Sequence, residues 1–336
     1  ELCSVPLNNL ITIPLQFLSL SSKMASSSCL PSSSWPLLLI LCLSSASVAW
    51  AKAGEIGIYW GFPESNTTLT NLNNTCNSGN FKTVSIAALS NFGDGQVPRA
   101  DFGSSCNVAS GGCKRLQYDI AHCQKMGIKV LLTVGGPTNN YTLATRQEAY
   151  QLAAHVYDVY LSGYGVDGPL GMVKLDGVDF YLRDGISTTD RLYLEITAEA
   201  IKSYDAGLIL TSSLQCDYQP SRAMQMGLYD RVWPRFYDHP CLFNDSNPEP
   251  FELAVRVWTS ALDAAFYVGL PTRPDYSGRS GYIVPEKLQD ALQTPQQSCH
   301  YAGVMLWNRN WDVRENYSTT ILPIVKATSA NPCPSL

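Results

Sequence analysis

The sequence predicts a single-domain α/β protein, a (β/α)8 TIM barrel, and three observations carry that expectation. Eight short β-branched or apolar runs recur along the chain. Stretches with helical spacing, such as 146–161 and 252–264, lie between them. The region holding them is about 285 residues long, the size of one such barrel. The first run is 55–60, where Ile56 and Ile58 lead into Tyr59 and Trp60. The second and third, 83–89 and 129–134, are rich in Val, Ile, Leu and Thr. The fourth, 173–182, alternates acids and aromatics with Val and Leu, and the fifth is 208–213. The sixth, 231–236, contains Pro234, which lacks a ladder N–H, so a bulge or an early end is expected there. The seventh and eighth are 265–270 and 302–307. Strands alternating with helices imply parallel pairing and right-handed crossovers. An open doubly wound sheet is the rival, but no G-x-G-x-x-G or phosphate-binding loop follows the first strand.

The segment ahead of these runs is not part of the barrel. Residues 1–23 are Ser- and Leu-rich without a sustained period and read as an upstream segment foreign to the native chain. From Met24 a secretory signal pattern follows, with an apolar run from Trp35 to Leu43 and an Ala49-Trp50-Ala51 cleavage site. That run is far shorter than the roughly 20 residues a bilayer requires. The domain boundaries are therefore 1–23, a signal peptide at 24–51, and a barrel at 52–336. The expected destination is outside the cell or the vacuole, by the secretory route.

Composition agrees with that route. Of 11 cysteines, Cys3, Cys29 and Cys42 precede the cleavage site. Eight remain: Cys76, Cys106, Cys113, Cys123, Cys216, Cys241, Cys299 and Cys333. An even number in an oxidising compartment reads as four disulfides, of unspecified pairing. Sequons at Asn66, Asn73, Asn140, Asn244 and Asn316 fit a secreted glycoprotein. The net charge of −5 argues against a nucleic-acid or membrane-surface partner. Four His and no C-x-x-C pair give no expectation of metal or cofactor. No exposed apolar helix or heptad stands out, so a monomer is expected.

In a barrel the chemistry gathers at the C-terminal ends of the strands. Those ends carry Tyr59, Trp60 and Phe62; Gly135 and Gly136; Asp179, Tyr181 and Arg183; Arg235, Phe236, Tyr237 and Asp238; and Trp307, Asn308 and Arg309. Such aromatics suit the C–H faces of sugar rings, and serve equally well to cap the core.

The stretch from Leu175 to Gly185, LDGVDFYLRDG, resembles the fourth-strand signature of the family 18 glycoside hydrolases, in particular plant class III chitinases. The segments Ile58-Tyr59-Trp60-Gly61, Asn91-Phe92-Gly93-Asp94-Gly95-Gln96 and Gly303-Val304-Met305-Leu306-Trp307 agree with it. The resemblance implies the disulfides Cys76–Cys123, Cys106–Cys113 and Cys216–Cys241, leaving Cys299–Cys333 as the economical fourth. It also implies the motif D-x-x-D-x-D-x-E, in which Glu protonates the glycosidic oxygen and the preceding Asp orients the substrate's acetamido nucleophile. Here Asp176 and Asp179 stand at the first two acids, but Tyr181 and Arg183 stand at the last two. Arg stays protonated above pH about 12, and Tyr titrates near about 10, so neither can replace the carboxyl it displaces. Asp184 is one residue off the required face; pairing of Asp184 or Asp179 with Arg183 is expected. Arg183 and Arg235 are expected within reach of each other, making the mouth locally basic.

Tyr59, Trp60, Tyr237 and Trp307 are the candidate carbohydrate-binding residues, and retained packing accounts for Tyr237 and Trp307 equally well. The leading functional expectation is a catalytically inactive chitinase-like defence protein that inhibits a microbial hydrolase, such as a xylanase. The changed signature is similar to that of plant xylanase inhibitor proteins. The alternatives are a lectin-like or storage protein that holds a chitin-type oligosaccharide, and an active endochitinase, which the two substitutions disfavour.

Overall fold

The computed structural model describes residues 53–62, 70–137, 141–164, 168–237, 239–274 and 281–327. The segments 1–23 and 24–51, the sequons at Asn66 and Asn140, Asp238 and Cys333 lie outside these residues.

The strands run in chain order β1 (Glu55–Trp60), β2 (Thr83–Gly93), β3 (Gln96–Ala100), β4 (Lys129–Gly135), β5 (Gly177–Tyr181), β6 (Ile209–Ser213), β7 (Arg231–Val232), β8 (Ala265–Pro271) and β9 (Tyr301–Trp307). The order β1-β9-β8-β7-β6-β5-β4-β2 is parallel throughout, and β1 also pairs with β2, so eight strands close into a barrel. The (β/α)8 expectation holds. Helices α1 (Leu72–Asn77), α2 (Leu116–Lys125), α3 (Arg146–Val156), α4 (Thr188–Tyr204), α5 (Arg222–Gln225), α6 (Glu249–Ala261), α7 (Pro285–Gln297), α8 (Arg309–Glu315) and α9 (Tyr317–Lys326) connect them. The predicted helix over 146–161 is α3 followed by a π-helical turn to Leu161. Helix α6 begins three residues before the predicted 252, because Pro250 in its first turn needs no hydrogen-bonding N–H there.

Three strands are shorter than predicted, β6 by one residue and β7 and β5 by more. β7 ends at Val232, since Pro234 cannot donate to a ladder; the chain returns to the sheet at Arg235, which bridges to Gln215 and Gly269. β5 begins only at Gly177, whose glycine is required: a Cβ there would lie 1.9 Å from the Ile209 carbonyl oxygen. One strand was missed. β3 pairs antiparallel with β2 through a two-residue turn at Asp94 and Gly95, which have φ of 50° and 71°. Asp-Gly is a favoured pair for such a hairpin loop.

Strand alternation sorts the core. Val178 and Phe180 of β5 face outward into the apolar layer under the helices. Tyr181 faces inward with Tyr59, Leu131, Trp233, Tyr267 and Met305, which fill the barrel interior. The disulfides Cys76–Cys123, Cys106–Cys113 and Cys216–Cys241 are formed as the resemblance implied. They tie α1 to α2, close the loop before α2, and join the segments that follow β6 and β7. Cys299 is also disulfide-bonded.

Asp176 precedes β5, at the end of the barrel opposite the mouth. Its carboxylate accepts from the Val130 N–H at 2.9 Å and from Gln124 Nε2 at 3.0 Å, and pairs with Lys129 at 2.9 Å. The first acid of the signature therefore staples β4 to β5. Asp176→Ala should lower stability by about 1–3 kcal/mol, since it strands the Val130 N–H. A thermal melt followed by circular dichroism would show this as a midpoint several degrees lower.

Candidate functional site

At the mouth, β5 presents Asp179 below Tyr181 on the inner face. Asp179 is fully buried. Tyr59 Oη donates to its Oδ2 at 2.8 Å and Thr211 Oγ1 to its Oδ1 at 2.8 Å, while Trp233 Nε1 donates to Tyr59 Oη at 3.0 Å. Burial pushes the Asp179 carboxyl up from 3.8 to about 6, against those hydrogen bonds, which favour the ionised form.

Above it four aromatic rings close the axis. Tyr181 lies 5.8 Å from Tyr59, 6.2 Å from Phe62 and 5.3 Å from Trp307, measured between ring centres. Phe62 and Trp307 approach to 4.3 Å, and Tyr59 and Trp307 to 5.2 Å. Tyr181 keeps 4% of its surface exposed, Phe62 7% and Tyr59 1%. Burial drives the Tyr181 hydroxyl above its ordinary pKa, so it stays neutral. Tyr237 is buried nearby, against the backbone of Gly281. Trp60 does not join them. One residue on from Tyr59, it faces the outer layer and donates its indole N–H to the Thr70 carbonyl at 3.1 Å.

The two arginines take different partners. The Arg235 side chain is buried under the mouth, where it stacks 4.4 Å from the Tyr181 ring centre. Its Nη1 donates to the carbonyls of Leu182 at 2.9 Å and Ser213 at 3.2 Å; its Nη2 meets Asp184 Oδ1 at 2.6 Å. Asp184 therefore pairs with Arg235, not Arg183, because the step past the strand end turns it toward the β7 side. His239 Nε2 lies 3.6 Å from the same oxygen. His239 first, and Arg235 with it, holds the Asp184 carboxyl down at about 2.

Arg183 turns outward. The regular ladder of β5 stops at Tyr181, so the alternation that would aim residue 183 at the axis stops with it. Its backbone N–H donates to Tyr141 Oη at 3.0 Å, and its guanidinium lies 5.3 Å from the Tyr141 ring centre. Nη2 reaches Asp190 at 3.4 Å. Burial raises the Asp190 carboxyl, but the Leu143 N–H, the Ser187 and Thr142 hydroxyls and Arg183 outweigh it and hold the group below its ordinary value. Each arginine thus faces an acid, and the mouth is not the locally basic patch the sequence suggested. Tyr141, His239 and Asp190 were not anticipated as part of this site. Only Asp190 left a trace in the sequence, as the third helical residue after a Ser187 cap.

Among the described residues no cluster of three or more His, Cys, Asp or Glu could hold a metal ion. No helix among them is long and apolar enough to cross a membrane.

No family model matches the chain. A basic endochitinase of Nicotiana tabacum is 38% identical to it over 293 residues, covering 85% of this chain and 95% of that protein. The chain belongs to the family 18 glycoside hydrolases, among the plant class III chitinase-like proteins. Two solved structures of such proteins resemble this one. The ICChI chitinase from Ipomoea carnea has a TM-score of 0.72 and 30% identity, covering 81% of this chain and 100% of its own. The xylanase and alpha-amylase inhibitor protein XAIP-II from Scadoxus multiflorus has a TM-score of 0.71 and 30% identity, covering 81% and 98%. The fold is thus shared by a chitinase and by an inhibitor, so it does not by itself assign an activity.

The raised pKa of Asp179 carries a signed prediction. Between about pH 4 and about pH 6 the folded chain keeps a proton on Asp179 that the unfolded chain has released. The stabilisation from this group is complete below about pH 4 and is lost as pH rises through about 6, at up to about 1.4 kcal/mol per pH unit. Asp184 contributes with the opposite sign, but only below about pH 4. Urea unfolding of the wild type and Asp179→Asn across about pH 4–6 should show a shallower slope in the variant. Parallel slopes would mean that Asp179 ionises normally in the fold.

Proposed function

We propose that this protein is a catalytically inactive chitinase-like protein of the secretory pathway that inhibits microbial glycoside hydrolases. The observation that carries the first half is Arg183 at the position where family 18 enzymes hold their general acid. A general acid needs a pKa near the working pH and a place beside the leaving oxygen. Among the described residues, the three carboxyl groups nearest the mouth each lack one of these. Asp184 is held ionised by His239 and Arg235. Asp179 has a suitable pKa but is sealed beneath Tyr59 and Tyr181. Asp190 is occupied by the start of α4 and held ionised. The space where an acetamido group would dock is narrowed by the rings of Tyr181, Phe62 and Trp307.

Likeness to XAIP-II supports the second half. The segment between α4 and β6 contributes little to that reading: it is short, and its nearest base, Lys202, is tied to the Leu208 carbonyl at 2.8 Å and to Asp230 at 2.9 Å. The interface is therefore assigned to other surface loops and helices, with the old cleft unused. A lectin acting through Tyr59, Trp60, Tyr237 and Trp307 is less well supported, because the first three side chains are buried and only Trp307 is partly exposed. Secretion fits the signal pattern at 24–51 and the disulfides. Of the described sequons, Asn244 and Asn316 are exposed and Asn73 half-buried, so the first two are the proposed glycosylation sites.

Purified protein in excess should lower the activity of a family 10 or a family 11 xylanase and release no product from chitin oligosaccharides. Full activity of both xylanases would remove the inhibitor reading for those classes. Chitin turnover abolished by Asp184→Asn would refute the inactive site.

A further inference from the structure

Among the described residues Arg183 uses little of its side-chain hydrogen-bonding capacity. A guanidinium carries five N–H donors. One reaches Asp190, at a long 3.4 Å, and Nε has no hydrogen-bond partner among the described residues. Asp190 does not depend on that contact, since it already accepts from Thr142 at 2.8 Å, Leu143 at 2.8 Å and Ser187 at 2.7 Å. Arg183 also lines a cavity of about 430 Å³, within the usual size of small-molecule sites. The stacked rings of Phe92 and Tyr141, 4.9 Å apart, form part of its wall. Asn91 lines it from β2, and Asp94 and Gln96 line it from the β2–β3 hairpin.

These groups restrict what the cavity can hold. Arg183 calls for an anion, which guanidinium groups bind through charge-assisted hydrogen bonds. Asp94 repels anions and accepts hydrogen bonds, so sulfate or phosphate, which bring charge without several hydroxyl donors, fit poorly. Asn91 and Gln96 both donate and accept, as sugar hydroxyls do. A ligand with one carboxylate at one end and several hydroxyls at the other satisfies all four residues. A second cavity of about 550 Å³ shares Asn91 and contains Arg99. Arg99 is the cross-strand partner of Asn91 on β3. Asn91 is thus common to both cavities, with Arg183 lining one and Arg99, together with Asp101, lining the other.

We propose that these two adjoining cavities bind an acidic oligosaccharide, with one uronic acid carboxylate on Arg183 and a following one on Arg99. The site uses the residue that replaced the general acid as a ligand-binding group. It does not depend on hydrolase inhibition, and failure of the xylanase assay leaves it standing.

The test is calorimetric titration of the full chain, in low-salt, calcium-free buffer, with galacturonic acid, its linear trimer and a neutral galactose trimer. The acidic trimer should bind at least about tenfold more tightly than the neutral one, and Arg183→Gln should cost about tenfold. Arg99→Gln should weaken the acidic trimer and leave the monomer unchanged. Asp94→Asn should strengthen the acidic trimer a few-fold, about what removing a partly screened like charge delivers. This last variant guards against misfolding: Asp94 is exposed at φ 50°, a conformation Asn tolerates. Equal binding of acidic and neutral trimers overturns the proposal. So does an Asp94→Asn variant that binds the acidic trimer no better, or stronger competition from a zwitterionic amino acid than from galacturonate.

Discussion

A buried guanidinium cannot shed its proton, so whatever surrounds Arg235 must satisfy it. That requirement organises the mouth. The Leu182 and Ser213 carbonyls converge on Nη1, which pins the ends of β5 and β6 together. Asp184 supplies the countercharge and is thereby turned away from the axis. The Tyr181 ring covers the flat face of the cation and is held upright under the other aromatics. An acid in place of Tyr181 would meet Arg235 before it met any substrate. The placement of Arg183 over Tyr141 leaves the central volume to Arg235 and the aromatic rings.

The barrel was legible because its strands are covered on both faces and therefore read as short apolar runs. β1 coincides with the predicted 55–60, and β8 and β9 differ from prediction by one residue. Pro234 announced the early end of β7 through its missing N–H. The β2–β3 hairpin was legible but unread, since Asp94-Gly95 is a hairpin signal. Trp60 was misplaced for a similar reason: a period of two puts neighbours on opposite faces, and Tyr59 took the inner one.

The site was only half legible. Composition of the signature told which acids were missing, because that is a matter of residue identity at fixed spacing. It did not tell where Arg183 would point, since alternation predicts direction only while the ladder lasts, and the ladder lapses at Tyr181. Nor could it pair Asp184 with Arg235, 51 residues away. Such a pairing follows from closure of the barrel and not from any local pattern. Asp176 shows the same limit: it belongs to the signature by spacing, yet its chemistry is that of a strap between strands at the opposite rim.

The aromatic cap bears on the history open to this protein. Its rings are interlocked, so no member can change alone without leaving a hole or a clash. Replacing Tyr181 by Asp would uncover Arg235 and create a new buried ion pair; replacing Arg235 first would strip Asp184 of its partner and Tyr181 of its support. Either single replacement passes through a less stable protein, whichever is made first. Packing of this kind acts as a ratchet, and it couples the identities of the residues at the mouth to one another.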